Sequence, residues 1–149
     1  TGRLLGPHAI EVAGDAIRAV HPGSAPAGAG QRVVDLSAHT CTPGWIDAHT
    51  HLTVQIDARP IEMLVRTNPA DSALRGAAHA GRTLRAGFTT VRDLGDLDGS
   101  SIALRDAIRN GLVDGPRILA AGRALGATGG HADYTNGLAE RFQGTEGPA

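Results

Sequence analysis

Lysine is absent from this chain: all 14 residues in its Lys+Arg count are arginine. No side chain within it can form a Schiff base or act as a lysine bridge between two metal ions. With abundant Ala and Gly, the arginine bias points to a GC-rich genome rather than to selection for the guanidinium group. Cysteine is nearly absent as well. Cys41 stands alone, so no internal disulfide can form and the redox compartment stays open. A lone thiol of this kind is expected as a small buried hydrophobe. No apolar run approaches the ~20 residues that span a bilayer. Net charge is −1, which removes the electrostatic footprint of a nucleic-acid or anionic-membrane binder. Hydrophobic content of 41% over 149 residues is an ordinary globular composition, long enough for a sizeable core.

The chain opens Thr1-Gly2-Arg3 without Met and closes Glu146-Gly147-Pro148-Ala149 without finishing an element, so it reads as a fragment. A cytoplasmic location is expected, with an export signal ahead of Thr1 left open.

Two organisations follow one another. Ala9–Ala13 and Ala16–Val20 alternate around a Gly14-Asp15 turn and predict a hairpin. His21 to Gln31 is a Pro/Gly/Ala loop, Arg32–Leu36 a third strand, and Thr40–Thr42 leads into a Pro43-Gly44 corner. After Gly44 strands and helices alternate. Trp45–His51 is a strand, and Asn68-Pro69 starts a helix that Gly87 stops. Phe88–Leu94 is a buried strand, and Ser100 or Ser101 caps a helix ending at Asn110-Gly111. Arg117–Ala121 is the next strand, followed by a Gly-rich loop from 122 to about 137. Alternation of this kind predicts an α/β fold of parallel βα units, whose sites lie at the C-terminal strand ends.

The chemistry concentrates in Pro43-Gly44-Trp45-Ile46-Asp47-Ala48-His49-Thr50-His51-Leu52. Alternate residues of a strand share a face, so His49 and His51 project together, with Asp47 on that face one step further in. Two imidazoles on one face can hold one divalent metal. Asp47 lies deeper, where supporting or purely structural hydrogen bonding is expected, and it is not the candidate base. Arg92 and Asp93 end the next strand, and an ion pair fixing that strand end is the expectation. His131 is either a solvated loop histidine or a contact for a substrate carboxylate, with Tyr134 on the same loop. His8, His21, His39 and His79 are expected as solvated or capping residues.

The first of these motifs resembles the first-strand signature of the amidohydrolase superfamily. Gly87–Asp93, Gly115–Leu125 and Thr128-Gly129-Gly130-His131 resemble the subgroup near imidazolonepropionases and prolidase-like dipeptidases. The resemblance implies a (β/α)8 metallohydrolase. Residues 1–43 would be part of a small β-sandwich, and 44–149 the first three βα units of a TIM-type barrel. It implies that His49 and His51 bind a divalent metal, usually Zn2+, as one or two ions. A lysine, two more histidines and an aspartate that serves as general base would come from strands beyond residue 149. Catalytic residues proper are then absent from this chain, His131 and Tyr134 are candidates for substrate binding, and Asp47 and Asp93 support the metal site. The implied reaction is hydrolysis of an amide or peptide C–N bond by metal-activated water. A prolidase-like dipeptidase comes first; the alternatives are an imidazolonepropionase-like or deaminase-like hydrolase of cyclic amides or amidines, or a non-catalytic scaffold relative. The implied partner is a small-molecule or dipeptide substrate, with no nucleic acid, no membrane, and a homo-oligomer left open.

Overall fold

A computed structural model describes residues 5–24, 27–54 and 58–142, and the chain separates into two compact units, Thr1–Pro43 and Gly44–Ala149. Both chain ends that read as cut, and Ala25-Pro26 inside the first predicted loop, lie outside the described residues.

In the first unit, the alternating segments form β1 (His8–Ala13) and β2 (Ala16–Pro22), paired antiparallel as one two-stranded sheet. Ile10 pairs with Val20 and Val12 with Ile17, with a register shift between Glu11 and Val12. The second strand runs two residues further than the alternation predicts, taking in His21 and Pro22. The Glu11 carboxylate lies 3.9 Å from Arg18 and 3.7 Å from His21, all three partly or largely exposed, so these pairs contribute little. The predicted third strand, Arg32–Leu36, does not form. A strand needs a ladder partner, and no described residue of this unit offers one; Val33 and Val34 are left 70% and 61% exposed. Cys41 is likewise exposed rather than buried, because its segment forms no regular element for other residues to pack on.

The second unit is a parallel three-stranded sheet in the order β3 (Trp45–Thr50), β4 (Phe88–Asp93) and β5 (Arg117–Ala120). Its helices are α1 (Pro60–Arg66), α2 (Pro69–Arg85) and α3 (Ser100–Arg109). The α2 start follows from the sequence: Asn68 and Asp71 form a reciprocal capping box, with Pro69 at the first helical position. At α3 the expected serine cap is replaced. Gly99 occupies the cap position, and the Asp96 carboxylate accepts the Gly99 and Ser101 N–H groups at 2.6 Å each. A full negative charge at a helix N-terminus outcompetes a neutral hydroxyl. Burial opposes ionisation of Asp96, but the hydrogen bonds from Ser101, Gly99 and Asp98 outweigh it and hold the carboxyl below its usual range.

The core gathers Leu52, Ala80, Val91, Leu104 and Ile118, with Ala77, Phe88, Ile108, Val113 and Ala120 packed around it. Each fully buried Val, Leu or Ile contributes about 1.5–3 kcal/mol. The helix α2 packs on α3 and β4, and α3 on β5. A Cβ at Gly76 would stand 2.8 Å from Thr53 Cγ2 and 3.0 Å from Leu104 Cδ2, so only glycine lets α2 sit this close to the segment leaving β3. The Trp45 ring meets Phe88 edge-on at 5.6 Å at the base of the sheet. Among the described residues no helix is long and apolar enough to cross a membrane.

Candidate metal-binding site at the end of the first parallel strand

His49 lies in the last turn of pleat of β3 and His51 is the first residue beyond it. Their rings stand 5.5 Å apart at 68°, and both side chains reach solvent. A zinc–nitrogen bond of about 2.0–2.1 Å puts a ligating ring's centre about 3.2 Å from the ion, so two rings on one tetrahedral ion stand about 5 Å apart. The observed separation fits a shared ion. Among the described residues no group of three or more His, Cys, Asp or Glu is close enough to hold a metal, so within them the site is the His49–His51 pair.

The surroundings hold the ring of His51 and the backbone of His49. His51 Nδ1 lies 2.9 Å from the Gly95 carbonyl oxygen. A carbonyl only accepts, so Nδ1 carries a proton, and in the neutral imidazole the lone pair then lies on Nε2. Asp47 Oδ1 accepts the His49 backbone N–H at 3.0 Å, pinning the strand between them where its register with β4 shifts. Asp93 is completely buried; its two oxygens take the Leu52 N–H at 2.8 Å and the Gly95 N–H at 3.2 Å. Burial pushes the Asp93 carboxyl up, and those two N–H groups together with the neighbouring His51 only partly offset it.

The expected Arg92–Asp93 ion pair is not what holds the strand end. Successive strand residues point to opposite faces, so Asp93 turns inward while Arg92 is exposed and donates Nε–H to the Ala48 carbonyl at 2.7 Å. His79 is also not a free surface residue: from α2 it donates Nδ1–H to the Leu52 carbonyl at 2.8 Å. Sequence reasoning missed it, although Ala77 and Ala80 beside it mark the buried stripe of the helix. His131 and Tyr134 are exposed on the loop after β5. That loop is organised by Asp133, which accepts the Gly129 N–H at 2.8 Å and the Thr135 hydroxyl at 2.7 Å. Among the described contacts neither His131 nor Tyr134 touches His49 or His51. An open groove beside β5, lined by Arg92, Arg105 and Leu119 among others, contains neither histidine.

A family model described as "Amidohydrolase family" matches residues 40–147. Among solved structures, the chain is similar to a Xaa-Pro dipeptidase with methionine bound in its active site: 37% identity, TM-score 0.81, covering 89% of this chain and 32% of that one. A prolidase complexed with N-methylphosphonate-L-proline gives 31% identity and a TM-score of 0.72, covering 85% of this chain and 30% of that one. The curated ochratoxinase of Aspergillus niger is 34% identical over 92 residues, 61% of this chain and 18% of the relative. The chain thus spans a third or less of the length of these relatives.

Proposed function

We propose, because the chain belongs to the amidohydrolase family, that it is the metal-gripping N-terminal part of a hydrolase that cleaves a C–N bond, and that its substrates are Xaa-Pro dipeptides. The hairpin would form part of a small β-sandwich, and the three βα units the opening of a (β/α)8 barrel. The observation that carries the reading is the imidazole pair at the end of β3, spaced for one ion, with His51 Nε2 left open by the Nδ1–H bond to Gly95. Similarity to the Xaa-Pro dipeptidase over most of the chain supports the substrate class.

In this reading His49 and His51 hold a divalent metal, zinc by ligand type. When bound, such a metal lowers the pKa of its water to about 7 and polarises the scissile carbonyl. Every other duty of this chain is positional. Asp47 and Asp93 hold the backbone on either side of the histidine pair through amide hydrogen bonds. Asp47 is assigned to holding the His49 N–H rather than to deprotonating water; the aspartate that does so would come from a later strand. His131 and Tyr134, on the loop that follows β5, would contact the substrate's carboxylate in this reading.

The test is hydrolysis of Xaa-Pro dipeptides by the parent protein after chelation and after restoring zinc. Activity that disappears on chelation, returns with zinc, and falls at least 1,000-fold in His49→Ala and His51→Ala supports the reading. Activity indifferent to chelation contradicts the metal. Zinc-restored activity confined to cyclic amides moves the substrate to the alternative class.

A further inference from the structure

The strongest unused feature of the fold is the way one buried carboxylate reaches His51 by two routes. Through Oδ2, Asp93 holds the amide of Leu52, the next residue along the chain from His51. Through Oδ1 it holds the amide of Gly95, whose own carbonyl accepts the His51 Nδ1–H. The imidazole and the backbone that carries it are thus both referred to a single group at the end of the neighbouring strand.

Gly95 is suited to no other residue type. Its φ is +148°, and a Cβ would stand 3.0 Å from Ala124 Cβ and 3.4 Å from the Ala124 backbone. The following amide, Asp96 N–H, is tied to the Gly122 carbonyl at 2.9 Å, and Asp96 pairs with Arg123 across a single bridge. The peptide units on the two sides of Gly95 are therefore each anchored, the first by Asp93 and the second, which carries the carbonyl, by Gly122, and the carbonyl is left one direction in which to point. From the other side His79 holds the Leu52 carbonyl, so the residue after His51 is gripped at both backbone atoms.

We propose that Asp93 is a positioning residue for the metal site: acting through the Gly95 peptide and the Leu52 amide, it locks the His51 imidazole as its Nδ1–H tautomer and aims Nε2 at the metal position. This assignment rests on the metal-binding reading of His49 and His51, but the tautomer lock exists in the metal-free protein and can be tested there. Asparagine at position 93 presents one acceptor and one donor where two N–H groups point in. One of the two routes is then lost while size and shape are kept. Partners of this kind commonly change metal affinity 10–100-fold.

The experiment is 15N NMR of histidine-labelled, metal-free parent protein, followed by zinc titration, on the wild type, Asp93→Asn and Gly95→Ala. Gly95→Ala leaves the carboxylate intact and shifts the backbone through which it reaches the His51 ring. The expected wild-type spectrum has His51 with a protonated Nδ1 and an unprotonated Nε2. In either folded variant the His51 signals average over both tautomers and zinc affinity falls about 10–100-fold. A wild-type His51 protonated on Nε2 overturns the assignment, even if neither variant folds. So does a folded Asp93→Asn protein that keeps the single tautomer and a zinc affinity within twofold of wild type. A locked tautomer that Asp93→Asn releases, in a parent that binds no zinc, retires the metal reading and leaves the positioning role standing.

Discussion

Asp133 shows how a single side chain sets the state of a loop that the proposed chemistry needs. Its hydrogen bonds from the Gly129 N–H and from the Thr135 hydroxyl and N–H hold its carboxyl below the usual range. A depressed folded pKa contributes stability that is complete above the ordinary aspartate value of about 3.9 and is lost as pH falls through the folded value. The loop is therefore expected to loosen only in acid, below about pH 4. Amide hydrogen exchange at Gly129 and Thr135 should quicken there, after correction for the intrinsic rate, and Asp133→Ala should show the quickened exchange already at neutral pH. Because the loop carries His131 and Tyr134, Asp133→Ala should also raise KM for dipeptides severalfold in the parent while kcat changes less. Steady-state kinetics read the split, and an unchanged KM would remove the loop from substrate binding. At this scale the sequence was legible where strand alternation alone places side chains, as with the His49 and His51 rings brought together at the end of β3. It was not legible where a partner lies far along the chain: the contacts of Asp93 to Leu52 and of His79 to Leu52 span 41 and 27 residues.

Elements with strong local signals are the ones that formed as expected. Asn68-Pro69 followed by Asp71 specifies the start of α2 before any packing is considered, and Asn68→Ala should cost about 1 kcal/mol through loss of the capping box. The β-branched and apolar runs of β4 and β5 were readable because their inward residues, Val91 and Ile118, lie under helices. Removing one of these side chains leaves a cavity, so Ile118→Ala should cost about 2–5 kcal/mol, read from the denaturation midpoint of the parent. The segments read wrongly or not at all carry weaker signals, as in α1, where Pro60 opens the helix without a capping side chain before it. Helix α1 has seven residues, under two turns, and no side-chain cap; Glu62, paired with Arg59 at 3.2 Å and Arg66 at 3.1 Å, is its clearest local support. Arg32–Leu36 has the composition of a strand, but pairing is a property of two segments and composition describes one.

Among the described residues of the second unit, α2 packs on β4 and α3 on β5, while part of the sheet's apolar surface stays open. Ile46 and Leu119 remain 71% and 57% exposed, and β3 and β5 are edges of the three-stranded sheet. Unpaired edges next to exposed apolar side chains template association between chains. The 149-residue chain expressed by itself should therefore aggregate or melt without cooperativity; a soluble monomer with a sharp thermal transition would contradict this. The parallel order of the strands and the placement of the histidine pair at a C-terminal strand end were both legible from the alternation of elements. What encloses the site was not, because two histidines define a direction for a metal and not a complete coordination sphere. The claim on which the account turns is that His49 and His51 together hold the metal. The direct measurement is the metal content of the purified parent, by elemental analysis, beside His49→Ala, His51→Ala and the double variant. The account predicts at least one equivalent of zinc or another divalent ion in the wild type and less than a tenth of that in the double variant. Full metal content in a folded double variant would contradict it.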